Sequence, residues 1–196
     1  LLVDVGIPVT VVLEGIISLI IALYSIKGYV KFQSNVLKQF SLAFIFLFLG
    51  FFIDAMAFLF QGGLTVWVSY VSTGLQTLGY IFLAWSHISS VRKEIREGAL
   101  PAFFVIPIIL MKSLGLYFLL YAAVETTISS FKKEQRIAML SSTALYLIFL
   151  GEFLDLIGLY YIPEVLPGML RFIGFVVLLL PLALTIGQKG VVKKRK

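Results

Sequence analysis

The chain has 196 residues, of which 60% are hydrophobic and 13% charged, with 18 Phe and a formal net charge of +6. So greasy a composition excludes an ordinary soluble domain and points to a protein whose solvent is mostly lipid. The absence of Cys excludes disulfides and thiolate metal sites, and a single His excludes multi-His metal sites and bis-histidine haem, so no metal and no cofactor is expected.

Six apolar runs reach the roughly 20 residues that a helix needs to cross a bilayer. They are read as 5–27, 38–61, 66–90, 101–128, 138–161 and 166–187. Nothing alternates with period two, which argues against a barrel. The first stretch, LLVDVGIPVTVVLEG, has no basic region and carries Asp4 and Glu14. It is a poor match to a signal peptide, so either a leader has been removed or residues precede Leu1. Ile7-Pro8 opens the first helix, Glu14 lies near its middle, and Lys27, Lys31 and Lys38 follow it. The second run holds Gly50 and Asp54 and stops at Gln61-Gly62-Gly63. The third carries Ser72, Gln76, Gly79 and Ser86 on one face, with Thr73, Thr77 and Tyr80 beside it, a stripe that a bundle interior or another subunit would satisfy. His87, next to Trp85, reads as an interfacial residue and not a ligand; Trp67, Tyr160 and Tyr161 read as belt residues too.

Arg92, Lys93, Arg96, Glu97-Gly98 and Pro101 then break the chain before a fourth run that opens at Ile106-Pro107 and contains Lys112 and Gly115. Lys132, Lys133 and Arg136 precede the fifth run, which holds Gly151, Glu152, Asp155 and Gly158. Pro163 and Pro167 mark the last turn; the sixth run contains Arg171, Gly174 and Pro181, whose ring should kink it, before a basic tail.

The two halves share a phrase. Ser41–Asp54 aligns with Ser142–Asp155 at a constant offset of 101, with identities at Ser41/Ser142, Ala43/Ala144, Phe48/Phe149, Leu49/Leu150, Gly50/Gly151, Phe52/Phe153 and Asp54/Asp155. Leu75 and Gly79 match Leu170 and Gly174 at an offset of 95. The expected organisation is an all-α integral membrane bundle of two three-helix repeats, residues 1–91 and 101–187, joined by a basic loop at 92–100 and ended by a basic tail at 188–196.

Topology follows Lys and Arg in short loops. Six simple passes divide the loop and tail basic residues into six on one side and eight on the other, which is no bias. An odd-numbered repeat unit inverts on duplication, and inverted repeats are a recurrent plan of transporters. Alternatively, residues 99–131 make two crossings or a re-entrant excursion, a seventh segment that places all 14 on one side. Those residues are short of the roughly 40 that two passes need, so six passes are expected.

Ionisable groups in hydrocarbon are costly and mark either internal staples or ion pathways. The spacing pairs Asp54 with Gln76 and Asp155 with Arg171, and sets Glu14 against Lys112 across the two halves. Glu125 and Glu152 read as snorkelling charges near boundaries. Gly50, Gly79, Gly151, Gly158 and Gly174 are candidates for close helix packing. No phosphate loop, His-Glu-x-x-His, nucleophile elbow or long soluble segment is present, so no catalytic residue is assigned and no enzyme is expected.

An apolar helix, a basic loop (Lys27, Lys31, Lys38), Leu49-Gly50 and Leu78-Gly79, repeated as Lys132-Lys133, Leu150-Gly151 and Ile173-Gly174, resembles small archaeal three-helix membrane proteins of unknown function in duplicated form. That resemblance implies a fold and no activity. The Pro-Gln signature of the sugar-transporting bundles of three plus one plus three helices is absent. Two function classes follow: a non-catalytic membrane subunit or scaffold, accessory to a larger membrane complex such as a respiratory one, and a small proton- or ion-coupled transporter using Asp54 and Asp155. The first is the primary expectation. Its partners would be membrane lipids and other subunits, or further copies of itself, with no nucleic acid; its location would be a prokaryotic plasma membrane.

Overall fold

The computed structural model describes residues 2–57, 65–88, 108–133, 136–158 and 165–193. These form six helices: α1 (Leu2–Phe32), α2 (Asn35–Ala57), α3 (Thr65–Ile88), α4 (Ile108–Lys133), α5 (Arg136–Ile157) and α6 (Val165–Lys193). Among the described residues there is no strand, as expected of a chain that must satisfy its backbone inside hydrocarbon. The protein is an all-α membrane bundle.

Local chemistry sets the ends. Gln33 adopts a left-handed φ of 51° and its N–H bonds the Tyr29 carbonyl 2.7 Å away, which stops α1. The Ser34 carbonyl then accepts from Lys38 N at 3.1 Å, starting α2 after a two-residue turn. Gly158, at φ 55°, ends α5 in the same left-handed way, its N–H bonding the Leu154 carbonyl at 3.2 Å. It is therefore a terminator and not one of the packing glycines, since nothing lies within 4 Å of where its Cβ would be.

Five helices are long and apolar enough to cross a membrane: Val9–Phe32, Asn35–Ala57, Leu110–Phe131, Ile137–Ile157 and Val165–Leu184. The expected third span, α3, has 24 residues but is not among them. Its hydroxyls and Gln76 lower its apolarity, and Ser72, Thr73, Thr77, Tyr80 and Ser86 are all buried in the bundle. Elsewhere hydroxyls turn back onto their own helix: Ser25 donates to the Ile21 carbonyl, Thr126 to Ala122 and Ser86 to Leu83, each at 2.7 Å. Residues 108–131 belong to one unbroken α4, so Gly115 does not divide them into two passes. α6 likewise continues through Pro181.

Each helix packs against its neighbours in chain order, and α6 closes the ring against α1. The closest approaches use glycines. A Cβ on Gly50 would stand 2.7 Å from Gln76 Cγ and 3.0 Å from the Ser72 carbonyl oxygen; one on Gly79 would stand 2.9 Å from the Ala43 carbonyl. Gly151 against Pro167 and Arg171, and Gly174 against Ala144 and Ile148, repeat those contacts between α5 and α6. Without side chains these backbones pack at a distance that small residues alone permit. Phe44, Leu47, Phe51, Leu83, Leu119, Ile148 and Phe175 fill the core, with the Phe175 ring edge-on to Phe44 and to Phe51 at 5.9 Å.

Several sequence expectations fall outside the described residues: Gln61-Gly62-Gly63, Arg92, Lys93, Arg96, Glu97-Gly98, Pro101, Ile106-Pro107, Tyr160, Tyr161, Pro163 and the final three residues, together with the side chain of His87.

Candidate functional site

Arg171 is the hub. It projects from the second turn of α6, where Gly168 lets α1 approach so closely that a Cβ there would stand 2.9 Å from Thr10 Cβ and 3.3 Å from Glu14 Oε1. Across that gap Arg171 Nε donates to Glu14 Oε1 at 3.1 Å. Its Nη1 donates to Glu152 Oε1 at 3.4 Å and lies 3.7 Å from Asp155 Oδ2. A planar guanidinium can reach three carboxylates because its donors fan out in one rigid fork.

Two further contacts extend the network. Tyr80 OH, from α3, donates to Glu152 Oε1 at 2.6 Å. Lys112 Nζ, near the start of α4, donates to Asp155 Oδ2, also at 2.6 Å. Burial is graded along it: Glu14 is 0% exposed, Glu152 7%, Arg171 11%, Lys112 30% and Asp155 37%. Five ionisable side chains from four helices and a tyrosine from a fifth are thus joined, closed at the Glu14 end and open at Asp155. Glu14 Oε2 and Ser18 Oγ, one turn apart on α1, are buried without a hydrogen-bond partner.

The sequence expectations stand as follows. Asp155 and Arg171 do meet, though Lys112 is the closer cation. Asp54 does not bond Gln76: it accepts from Ser72 Oγ at 3.3 Å, while Gln76 lies over Gly50. The chain rises about 1.5 Å per residue, and Ser72, one turn before Gln76, faces the end of α2 more squarely. Glu14 and Lys112 do not pair; each takes a partner from the second half, Arg171 and Asp155. Glu152 does not snorkel outwards but is buried in the bundle, bonded to Tyr80 and Arg171. Its place was signalled by spacing, since it lies three residues before Asp155 and so shares that helix face. Ser18 and Gly168 had no such signal.

Among the described residues no group of three or more His, Asp or Glu side chains could hold a metal ion. Removing the Tyr80 hydroxyl is expected to cost about 1–3 kcal/mol, because Glu152 would lose its shortest hydrogen bond in a buried place. Thermal unfolding of Tyr80→Phe in detergent checks this; an unchanged midpoint would mean that the Tyr80–Glu152 hydrogen bond adds nothing to stability. Comparison with protein-family models, with curated proteins and with solved structures returns no match.

Proposed function

We propose that this protein is a small membrane carrier in which a proton or monovalent cation is exchanged at the Glu14–Arg171–Glu152 network. One observation supports this most: Glu14 is fully buried, yet its Oε2 has no partner. Buried carboxylate oxygens are normally satisfied, so Glu14 Oε2 calls for a partner such as a proton, a small cation or a water. Charge counting agrees. Glu14, Glu152 and Asp155 share two cations, Arg171 and Lys112, so the joined network is one positive charge short of neutral. A proton on Glu14, or a small cation beside Glu14 and Ser18, would supply it. Static stapling needs no such imbalance, and charges at this depth are costly to keep.

This reading moves the coupling carboxylate from Asp54 and Asp155 to Glu14. Asp155 becomes the outer member, exposed enough to exchange with water. The accessory-subunit reading retains one support. The outer surface is broadly apolar, with Trp67, Tyr117 and Phe131 each more than 60% exposed, and a neighbouring subunit would cover it as well as lipid.

Purified protein in liposomes, given an imposed pH gradient and a panel of small sugars, amino acids and organic cations, separates the two. Expected is a solute-dependent collapse of the gradient that Glu14→Gln slows at least tenfold while the folded protein survives. A chain that purifies only with stoichiometric partner proteins, and moves no solute alone, would return the accessory subunit.

A further inference from the structure

The helix contacts carry an orientation that the order of the helices does not. Within α1–α3 the short turn and the contacts set heights along the bundle: Gly15 packs on Phe51, and Gly50 on Ser72 and Gln76. Within α4–α6, Lys112 meets Asp155, Thr127 meets Ser142, and Gly151 meets Pro167 and Arg171. Each trio therefore runs up, down, up. Two seams join the trios. Gly168 packs on Thr10, and Arg171 bonds Glu14, between α6 and α1. Thr77 Oγ1 donates to the Met111 carbonyl at 3.1 Å, and Gly115 packs on Thr77 and Tyr80, between α3 and α4.

Thr10 and Gly168 lie in the amino-terminal thirds of α1 and α6; Thr77, Met111 and Gly115 lie in the amino-terminal two-thirds of α3 and α4. If the second trio were upside down, aligning Thr10 with Gly168 would carry residues 14–32 of α1 past the start of α6. At 1.5 Å per residue, that slides one trio roughly 20–30 Å beyond the other. A hydrocarbon slab about 30 Å thick could not hold both. With both trios upright, the same contacts put all six helices in one slab. The crosswise contacts repeat accordingly. Phe51 meets Phe175, and Glu152 meets Tyr80, positions related by the offsets of 101 and 95.

From this geometry we infer that the two three-helix units have the same orientation in the membrane, not inverted ones. Phe32, Ile88 and Lys133 end on one face; Ala57, Thr65, Ile108, Ile157 and Val165 lie on the other. Ile88 and Ile108 are on opposite faces. Charge supports this independently. Among the described residues, Lys27, Lys31, Lys38, Lys132, Lys133, Arg136, Lys189 and Lys193 all lie towards the first face, and the two basic residues towards the second, Lys112 and Arg171, are held in the ion network. The basic face is then cytoplasmic. Asp155 and Lys112, each within two turns of a helix end on the other face, make the ion network accessible from outside.

The chain has no Cys, so single cysteines can be read without background. Ser34→Cys, Ala57→Cys, Leu110→Cys and Phe131→Cys are each shown to react in detergent. They are then treated with a membrane-impermeant maleimide on intact and permeabilised bacterial cells. Expected is labelling of Ala57→Cys and Leu110→Cys in intact cells, and of Ser34→Cys and Phe131→Cys only after permeabilisation. Leu110→Cys partitioning with Ser34→Cys, and Phe131→Cys with Ala57→Cys, would overturn the inference. The expected partition in reverse would keep the common orientation and overturn the assignment of the basic face to the cytoplasm. Transport by the unsubstituted protein does not enter this test, so it stands apart from the carrier reading.

Discussion

Arg171→Met is expected to be the most damaging single substitution in the bundle. It removes the one cation that Glu14 and Glu152 share, at 3.1 and 3.4 Å, and leaves two buried carboxylates facing each other. Breaking one partner out of a buried ion network costs about 3–5 kcal/mol. The result should appear as a large fall in thermal midpoint, or as failure to accumulate in the membrane. The triple variant Arg171→Met, Glu14→Gln, Glu152→Gln should recover most of that loss, because it removes the uncompensated charge with the cation. Arg171→Lys should be intermediate, since one ammonium cannot span three carboxylates. Lys112→Met should cost clearly less: Lys112 and Asp155 are each about a third exposed, and Asp155 keeps Arg171 at 3.7 Å. If the triple variant is no more stable than Arg171→Met, packing and not charge explains the loss.

Gly151→Val comes next. Even the Cβ of alanine there would stand 2.7 Å from the Pro167 carbonyl oxygen and 2.6 Å from Arg171 Cγ. Forcing added volume into such a contact costs about 1–3 kcal/mol for the first methyl, and a β-branched side chain adds to it. The carbonyl belongs to backbone, so α5 and α6 must separate. Separation also moves Arg171, which makes Gly151→Val and Arg171→Met non-additive by about 0.5–3 kcal/mol in a double-mutant cycle. Gly74→Ala supplies the contrast. Nothing lies within 4 Å of its added methyl, and it sits inside α3. It should stabilise the helix by up to about 1 kcal/mol. Equal losses at Gly151 and Gly74, read as thermal midpoints, would sink the packing account.

Much of the fold could be read along the chain because hydrocarbon imposes its demand locally. Every backbone group must bond within its own helix, so an apolar run of sufficient length commits to one element. The packing roles of Gly50, Gly79, Gly151 and Gly174 were legible for the same reason, as small residues recurring on faces that carry apolar neighbours. α3 was the partial exception. Its Ser, Thr and Gln residues lower its apolarity, and only the ring of five other helices explains why they are tolerated.

Side-chain partnership was not legible. Asp54 and Asp155 occupy the same place in the repeated phrase, yet one accepts from Ser72 and the other accepts from Lys112 and has Arg171 as an ion-pair partner at 3.7 Å. Local spacing predicts which residues share a helix face, but not which face turns toward which helix. By itself the sequence determined a helical membrane bundle, its near-repetition, and the set of charges that lipid could not leave unpaired. The tertiary structure alone decided that Arg171 gathers Glu14, Glu152 and Asp155, because residues 157 positions apart meet only where Gly168 lets α6 close on α1.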